Sequence, residues 1–378
     1  MKIFFPIGSF YPCQIGGQAS ALYWHVKALG TRDIQCNVFT SLFGIEKDQV
    51  QEDLTLKTEY GTAYYASKTL GFKSLQNIYK NLKVADVIHL HGVFNITSTI
   101  SLLMWRFFAS NKKVICTVHG ELNPNALQFS SKKKIPTLWL YRQWYKKILF
   151  HTTSDQENKD VMSYFKNPET LNIPNLMQPE ARLTISKKKQ LLFMGRIHEI
   201  KALHKFLEAL HLSTLFKNSD FKFDIAGSYE DRHTEYFQSI QQQVKHYGLA
   251  EKVCFSGHVL GKEKEIKYAE SYFLILPSET ENFGNVVVEA LNQGTPVLAA
   301  LGTPWKILEE YKCGFHTDNS PAILAKFIDA ISEMDPEVYR HYSANTTKLV
   351  NDKFNINTQI NRWISIYKNL NINHENTK

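Results

Sequence analysis

Residues 276–299, LPSETENFGNVVVEALNQGTPVLA, place Glu281 and Glu289 on either side of a Gly-Asn pair and a β-branched run, between two apolar strand-like segments. Acidic pairs at such a spacing arise by chance in a chain with 36 Asp and Glu, so the surroundings decide their meaning. YFLILPS reads as a strand and Glu279 to Asn282 as a loop. A helix is predicted from Phe283 or Gly284 to Asn292, stopped by Gln293-Gly294, and PVLAA returns to a strand. Strand, helix and strand in this order imply right-handed crossovers in a mostly parallel sheet.

The same rhythm runs outward in both directions. KIFFPIG, QASALYWHVKALG, NVFTS, TAYYAS, DVIHLHG, a helical stretch near 96–110, KVICTVHG, another helical stretch near 136–147, and LFHTTS fill the first half. DVIHLHG is apolar at nearly every position, as a strand covered on both faces should be. The pattern restarts with LLFMGR, a helix from about Ala202, FDIAGS, a helix around 233–247, and KVCFSGHV. Pro174, Pro179 and the Lys187 to Lys189 run mark 176–189 as a linker between domains 1–175 and 190–355. Residues 356–378 are expected to form a C-terminal helix packing back on the first domain, then a polar tail. Two α/β domains so joined would place a cleft between them, lined by loops at strand carboxyl ends.

Composition narrows the class. The 378 residues, 43% hydrophobic and 21% charged, suit a globular protein of two domains and not a disordered chain. Five scattered cysteines (Cys13, Cys36, Cys116, Cys254, Cys313) form no CxxC pair, which favours a reducing compartment over a disulfide scaffold. MKIFFPIGSFYP is a strand and loop, too short for a signal segment; ISLLMWRFFA is about a third to a half of a spanning helix and contains Arg106. A cytoplasmic protein is expected. Up to Asn175 there are 20 Lys and Arg against 12 Asp and Glu, leaving 24 against 24 in the remainder, so all the excess positive charge lies in the first half. A one-sided surplus is either ordinary solvated lysine or an attraction to an anionic surface.

Three clusters carry candidate chemistry. Amides at the helix start, around Gly284 to Val287, would suit a phosphate, and a glycine there permits close approach. Glu281 and Glu289 could each accept hydroxyl hydrogen bonds from a sugar or ribose; a solvated helix glutamate and a helix-dipole partner are the plain alternatives. In FMGRIHEIKAL, Arg196 follows a strand and Lys201 comes five residues on, either a clamp for a diphosphate or two surface ion pairs. Gly16-Gly17 precede a helix without forming GxGxxG, which disfavours a nicotinamide cofactor and leaves an anion-binding turn or an ordinary one. His119 ends a strand beside Gly120, where side chains face a cleft. His89 and His91 would share a sheet face, with no carboxylate or cysteine at metal-ligand spacing, and no D-x-D occurs.

In combination, the Gly16-Gly17 loop, DVIHLHG, TVHGE, HTTSDQE, IPN, MGRIHEIK, FDIAGS, VCFSGHV and SETENFGNVVVEALNQGTPVLA resemble the GT-B nucleotide-sugar glycosyltransferases of family 4, the group 1 glycosyltransferases. The last stretch is similar to the family's E-x7-E motif, and Arg196 with Lys201 to its paired phosphate ligands. The resemblance implies an α/β GT-B fold, two Rossmann-like domains facing each other across a cleft. It further implies Glu289 on the ribose, Arg196 and Lys201 on the diphosphate, and Glu281 with the segment Asn282, Phe283, Gly284, Asn285 and Val286 on the donor sugar. Gly16 and Gly17 would bring amides to the phosphates, and His119 would sit near donor sugar and acceptor. Transfer would retain anomeric configuration and use neither metal nor cofactor, the donor being a nucleotide diphosphate sugar. Two positions depart from the pattern: Leu176 where Gly often follows Ile-Pro-Asn, and Ala202 where Gly often follows the lysine.

SSKKKIPTLWLYRQWYKKILF, 130–150, interleaves Lys132 to Lys134, Arg142, Lys146 and Lys147 with Trp139, Trp144 and Tyr145. It is either a core helix with a wet basic side or a peripheral anchor on an anionic membrane, which would fit a glycan or lipid-linked acceptor in cell-surface polysaccharide or lipopolysaccharide synthesis. Rival readings are a GT-B sugar-nucleotide epimerase or phosphorylase, and a non-catalytic polyanion binder. No nucleic-acid motif appears.

Overall fold

The computed structural model describes residues 1–13, 17–46, 48–128, 131–179 and 181–375. Gly16, the side chains of Lys132 and Lys133, and the tail end 376–378 lie outside the described residues. The chain divides into two compact units, 1–178 with 355–378, and 179–354.

The first unit is built on an eight-stranded sheet: β1 (Lys2–Pro6), β2 (Gln35–Ser41), β3 (Thr55–Thr58), β4 (Gly61–Ala66), β5 (Val87–His91), β6 (Lys113–Thr117), β7 (Ile148–Thr152) and β8 (Glu169–Asn172), in the order β3-β4-β2-β1-β5-β6-β7-β8. All neighbours are parallel except the β3–β4 pair. Strand residues alternate between faces, so Phe4, Ile88 and Leu90 enter one core while Ile3, Phe5 and Val87 enter the other. Both faces are thus covered, which explains why β5 is buried at every position.

The second core receives the C-terminal helix Ile356–Glu375 through Ile356, Ile360, Trp363 and Tyr367, a spacing that keeps one stripe inward. Each such side chain, when fully buried, contributes about 1.5–3 kcal/mol. This helix belongs to the first unit although the second precedes it in the chain.

The second unit holds a six-stranded, all-parallel sheet: β9 (Gln190–Met194), β10 (Lys222–Ala226), β11 (Val253–Gly257), β12 (Phe273–Leu276), β13 (Val297–Ala300) and β14 (Gly314–Thr317), in the order β11-β10-β9-β12-β13-β14. Leu203, Phe206, Leu207 and Leu210 of helix Leu203–Leu212 press on Leu191, Phe193, Phe273 and Ile275.

Residues 182–187 have no regular structure, yet they are tied to the second unit. Arg182 donates to the Ser343 hydroxyl at 2.8 Å, the Leu183 amide to Gln293 Oε1 at 2.9 Å, and Lys187 Nζ to Thr295 Oγ1 at 2.5 Å. A lack of regular structure does not prevent side chains from anchoring a segment.

The basic stretch after residue 130 forms helix Ser131–Trp144, starting earlier than the pattern indicated. Trp144 and Tyr145 pack on the core, Trp144 against Trp105 and Tyr145 against Phe165, while Ile135 and Trp139 are about 60% exposed, at 61% and 59%.

Candidate functional site

In each sheet the strand order reverses at one place, between β1 and β5 in the first unit and between β9 and β12 in the second. Loops leaving neighbouring strands there diverge to opposite faces, which opens a crevice at the carboxyl ends. In the second unit those loops are 195–201 and 277–284. The Glu279 amide donates to the Ile200 carbonyl at 2.8 Å, joining them.

Lys201 and Glu281 meet across this junction as an ion pair, each side chain 17% exposed. Ser278 Oγ also lies 3.5 Å from the Glu281 carboxylate. The Glu281 amide donates to Gly302 O at 3.1 Å, and Gly302 must be glycine because a Cβ there would lie 1.9 Å from the Glu279 carbonyl oxygen. Backbone close approach therefore fixes the glutamate's position.

Helix Asn285–Asn292 starts one residue after Gly284, which sits at φ 80° and allows the chain to turn sharply into the helix. Phe283 is buried between Trp305 and Phe354, and Trp305 Nε1–H donates to its carbonyl at 2.5 Å. The helix start is consequently held rigidly, with its first amides directed away from the helix body.

Arg196 and Glu289 are not drawn into the same pair. Arg196 reaches Glu230 at 3.2 Å, where Arg232 also binds at 2.7 Å. Glu289, one helical turn in, accepts from Lys264 at 2.7 Å and from the Tyr268 hydroxyl at 2.8 Å. Desolvation holds that phenol protonated, far above its ordinary range, so it acts as a donor.

Ala202 has φ 50° and ψ 35°, the left-handed conformation, and caps helix Leu203–Leu212. The glycine often found after the lysine would suit this geometry without strain.

Gly17 begins helix Gly17–Gly30 in the first unit. The carboxyl ends of β5, β6 and β7 carry a feature that the sequence reading missed. His151 Nε2 lies 2.8 Å from the Ile173 carbonyl, an acceptor only, so this nitrogen carries the proton and Nδ1 accepts. The Thr117 hydroxyl, 2.8 Å away, must donate to Nδ1 and hence accepts from His89 Nε2–H at 2.8 Å. His89 Nδ1 then accepts from the Tyr367 hydroxyl at 2.7 Å, and Tyr367 accepts from His25 Nε2–H at 2.9 Å. One carbonyl thereby sets the polarity of the whole chain of hydrogen bonds.

These imidazoles are neutral: burial lowers His25 to about 3 and His151 to about 4, and puts His89 well below its ordinary value. Among the described residues no group of three His, Cys, Asp or Glu is placed to hold a metal ion, so the cluster is a hydrogen-bonded network.

His119 follows β6 at φ 56°, and desolvation of its ring, with His151 nearby, lowers it to about 3. Its Nε2 lies 3.0 Å from His91 Nδ1. Two carboxylates, the buried Glu157 and the half-buried Glu121, clamp the turn. Glu157 accepts from the Gly120 amide at 2.5 Å, the Thr153 amide at 2.6 Å and the Thr153 hydroxyl at 2.9 Å, while Glu121 accepts from the Val93 and Phe94 amides at 2.6 and 2.8 Å. Desolvation pushes Glu157 up to about 7. The spacing of HTTSDQE from TVHGE gives no sign that Glu157 and Gly120 meet.

Residues 178–349 match the family described as glycosyl transferases group 1. An uncharacterized glycosyltransferase of Methanocaldococcus jannaschii is 25% identical over 311 residues, 75% of each chain, and the O-antigen chain mannosyltransferase RfbU of Salmonella typhimurium is 24% identical over 232 residues, 54% of this chain and 64% of that one. The solved structure of HepE from Anabaena, in complex with UDP and glucose, superimposes with TM-score 0.76 at 19% identity, covering 97% of this chain and 98% of that one. The fold is that of the GT-B glycosyltransferases, two parallel-sheet α/β units. The second unit is thus similar to the group 1 glycosyltransferases over residues 178–349.

Proposed function

We propose that this glycosyltransferase moves a hexose-type sugar from a nucleotide diphosphate sugar to a glycan or lipid-linked hydroxyl with retention, without metal, as a member of family 4. The observation that carries this reading is the Lys201–Glu281 pair at the strand-order reversal of the second unit, beside the helix start at Gly284. A diphosphate needs cations and amide donors, and a sugar needs a carboxylate for its hydroxyls.

Lys201 and Arg196 neutralise the departing diphosphate; Glu281 and the segment from Asn282 to Val286 hold the sugar; Glu289 holds the ribose. The Arg196–Glu230 pair, with side chains 58% and 48% exposed, is worth at most about 1 kcal/mol, so a doubly charged phosphate readily replaces Glu230. Preorganised cations and amides at the leaving group supply about 3–4 kcal/mol of barrier lowering each. In the first unit, His119 is the residue we propose to offer a hydrogen bond to a sugar or acceptor oxygen.

A polysaccharide or lipopolysaccharide role draws support from the likeness to an O-antigen mannosyltransferase. A concavity of about 610 Å³ in the first unit, walled by Tyr11, Tyr23, Tyr60 and Tyr65, offers amphipathic faces suited to sugar rings. Among the described residues no helix is long and apolar enough to cross a membrane, and the exposed Ile135 and Trp139 beside basic residues favour peripheral attachment.

The test is product analysis with UDP-, GDP- and ADP-sugars and a hydroxyl acceptor, read by NMR with and without EDTA. An axial-to-axial or equatorial-to-equatorial product, unaffected by EDTA, supports the reading. Inverted product, or dependence on metal, contradicts it; free sugar formed from donor alone in an acceptor-independent reaction points to an epimerase.

A further inference from the structure

His91 is the last residue of β5, and its ring meets His119 on the turn after β6. Both imidazoles are neutral at neutral pH, because burial and neighbouring histidines disfavour their charged forms. A neutral imidazole has one N–H and one lone pair, so the 3.0 Å contact between His91 Nδ1 and His119 Nε2 fixes both tautomers together.

Only two arrangements exist. If His119 Nε2 carries the proton, His91 must be protonated at Nε2, an atom that is buried and has no partner among the described residues. That arrangement strands a buried N–H, which native structures avoid more strictly than an underused acceptor. His91 helps line a space of about 30 Å³ walled by Ala21, Leu22, Leu176 and Trp363 together with Thr117, Asn175 and the neighbouring imidazoles, and none of these side chains is a partner of Nε2 among the described residues. The other arrangement puts the proton on His91 Nδ1, donates it to His119 Nε2, and leaves only a lone pair buried.

We infer that His91 is a positioning residue: it donates to His119 Nε2 and so holds His119 as the Nδ1–H tautomer, presenting a hydrogen-bond donor and not a base. His119 Nδ1 has no partner among the described residues, and the turn that carries it is clamped by Glu157 and Glu121. A fixed donor on a fixed turn suits an electronegative sugar or phosphate oxygen. The consequence for catalysis rests on the proposed transfer reaction; the tautomer does not.

The experiment uses the full chain with ¹⁵N-labelled histidine and long-range ¹H–¹⁵N correlation spectra, His119 being assigned by loss of its signals in His119→Ala. The wild type should show His119 protonated at Nδ1. His91→Phe, which keeps a ring and loses the donor, should shift His119 toward Nε2–H and lower kcat about 10-fold with little change in KM. His91→Asn, whose amide can donate in place of Nδ1–H, should restore the Nδ1–H pattern and most of kcat. A wild-type His119 protonated at Nε2, or a pattern that His91→Phe leaves unchanged, overturns the inference; the wild-type spectrum tests it even if a variant fails to fold. If the tautomer responds while transfer does not, His91's role stands and the assignment of His119 to transfer falls.

Discussion

The two switch points of this chain share a plan and differ in chemistry. At the second unit's reversal, opposite charges face each other: Lys201 with Glu281, Lys264 with Glu289, Arg196 with Glu230. At the corresponding end of the first sheet stand neutral imidazoles, linked through Thr117 and Tyr367 and closed against the Ile173 carbonyl. The half with the surplus of positive charge thus carries the uncharged site, and the half with none carries the cations. Topology decides where a site forms; local pairing decides whether it can hold an anion.

The contrast is sharpest in its response to acid. His25 and His119 titrate near 3 and His151 near 4 in the folded chain, against about 6.5 when unfolded. Above pH 6.5 these groups are neutral in both states and contribute no slope. Below it the unfolded chain takes up protons that the native state refuses, so stability falls by roughly 1.4 kcal/mol per pH unit for each. Glu157, raised to about 7, works in the opposite direction between 7 and 4.5, because its folded form takes a proton first. The histidines outnumber it, and urea unfolding should show a loss on the order of 4–6 kcal/mol between pH 6.5 and 4.5. A flat profile there would remove the buried neutral cluster from the comparison.

Lys201→Ala probes the charged site. It removes the cation proposed to face the leaving group and leaves Glu281 in a partly buried place without its partner. Transfer should fall by about 10²–10³-fold, roughly 3–4 kcal/mol, while unfolding of the first unit stays unchanged. Equal losses in rate and in global stability would mean that the pair is a structural brace.

Tyr367→Phe tests the neutral network. The hydroxyl joins His25 to His89, so its loss leaves two buried ring nitrogens unpaired and should cost about 1–3 kcal/mol by denaturation, with donor binding unaltered. An unchanged midpoint would show that the relay adds nothing to the fold.

Ala202→Gly gives the smallest effect. Relief of a left-handed alanine is worth about 1–2 kcal/mol, offset by one buried methyl, about 0.8 kcal/mol, and by a more flexible unfolded chain. The net change should lie within about 1 kcal/mol of zero, whereas Ala202→Val, β-branched at positive φ, should destabilise clearly.

Much of this architecture was legible in the residues because it rests on short-range pattern. Apolar runs such as LLFMG and VIHLH mark buried parallel strands, and NVVVEALN between Gly284 and Gly294 marks a helix with its start and stop. Glu281 and Lys201 could be singled out because each sits where a loop after a strand gives way to the next helix. The histidine network could not, since it joins His25 to Tyr367 across 342 positions and His89 to Thr117 and His151 on separate strands. Nor could the sequence reveal that Arg196 turns to Glu230 or that Glu157 holds the Gly120 amide, because those contacts depend on loop paths. Ala202 marks the boundary: its departure from glycine is visible in sequence, while its φ of 50° is a property of the fold.

The most direct test of the charged switch point as the donor site is calorimetric titration of UDP, GDP and ADP into the full chain and into Lys201→Ala. One nucleotide should bind the unaltered chain and bind the variant at least about 10-fold more weakly, a loss of 1.4 kcal/mol or more. Binding of none of the three, or equal affinity for both proteins, would contradict the account.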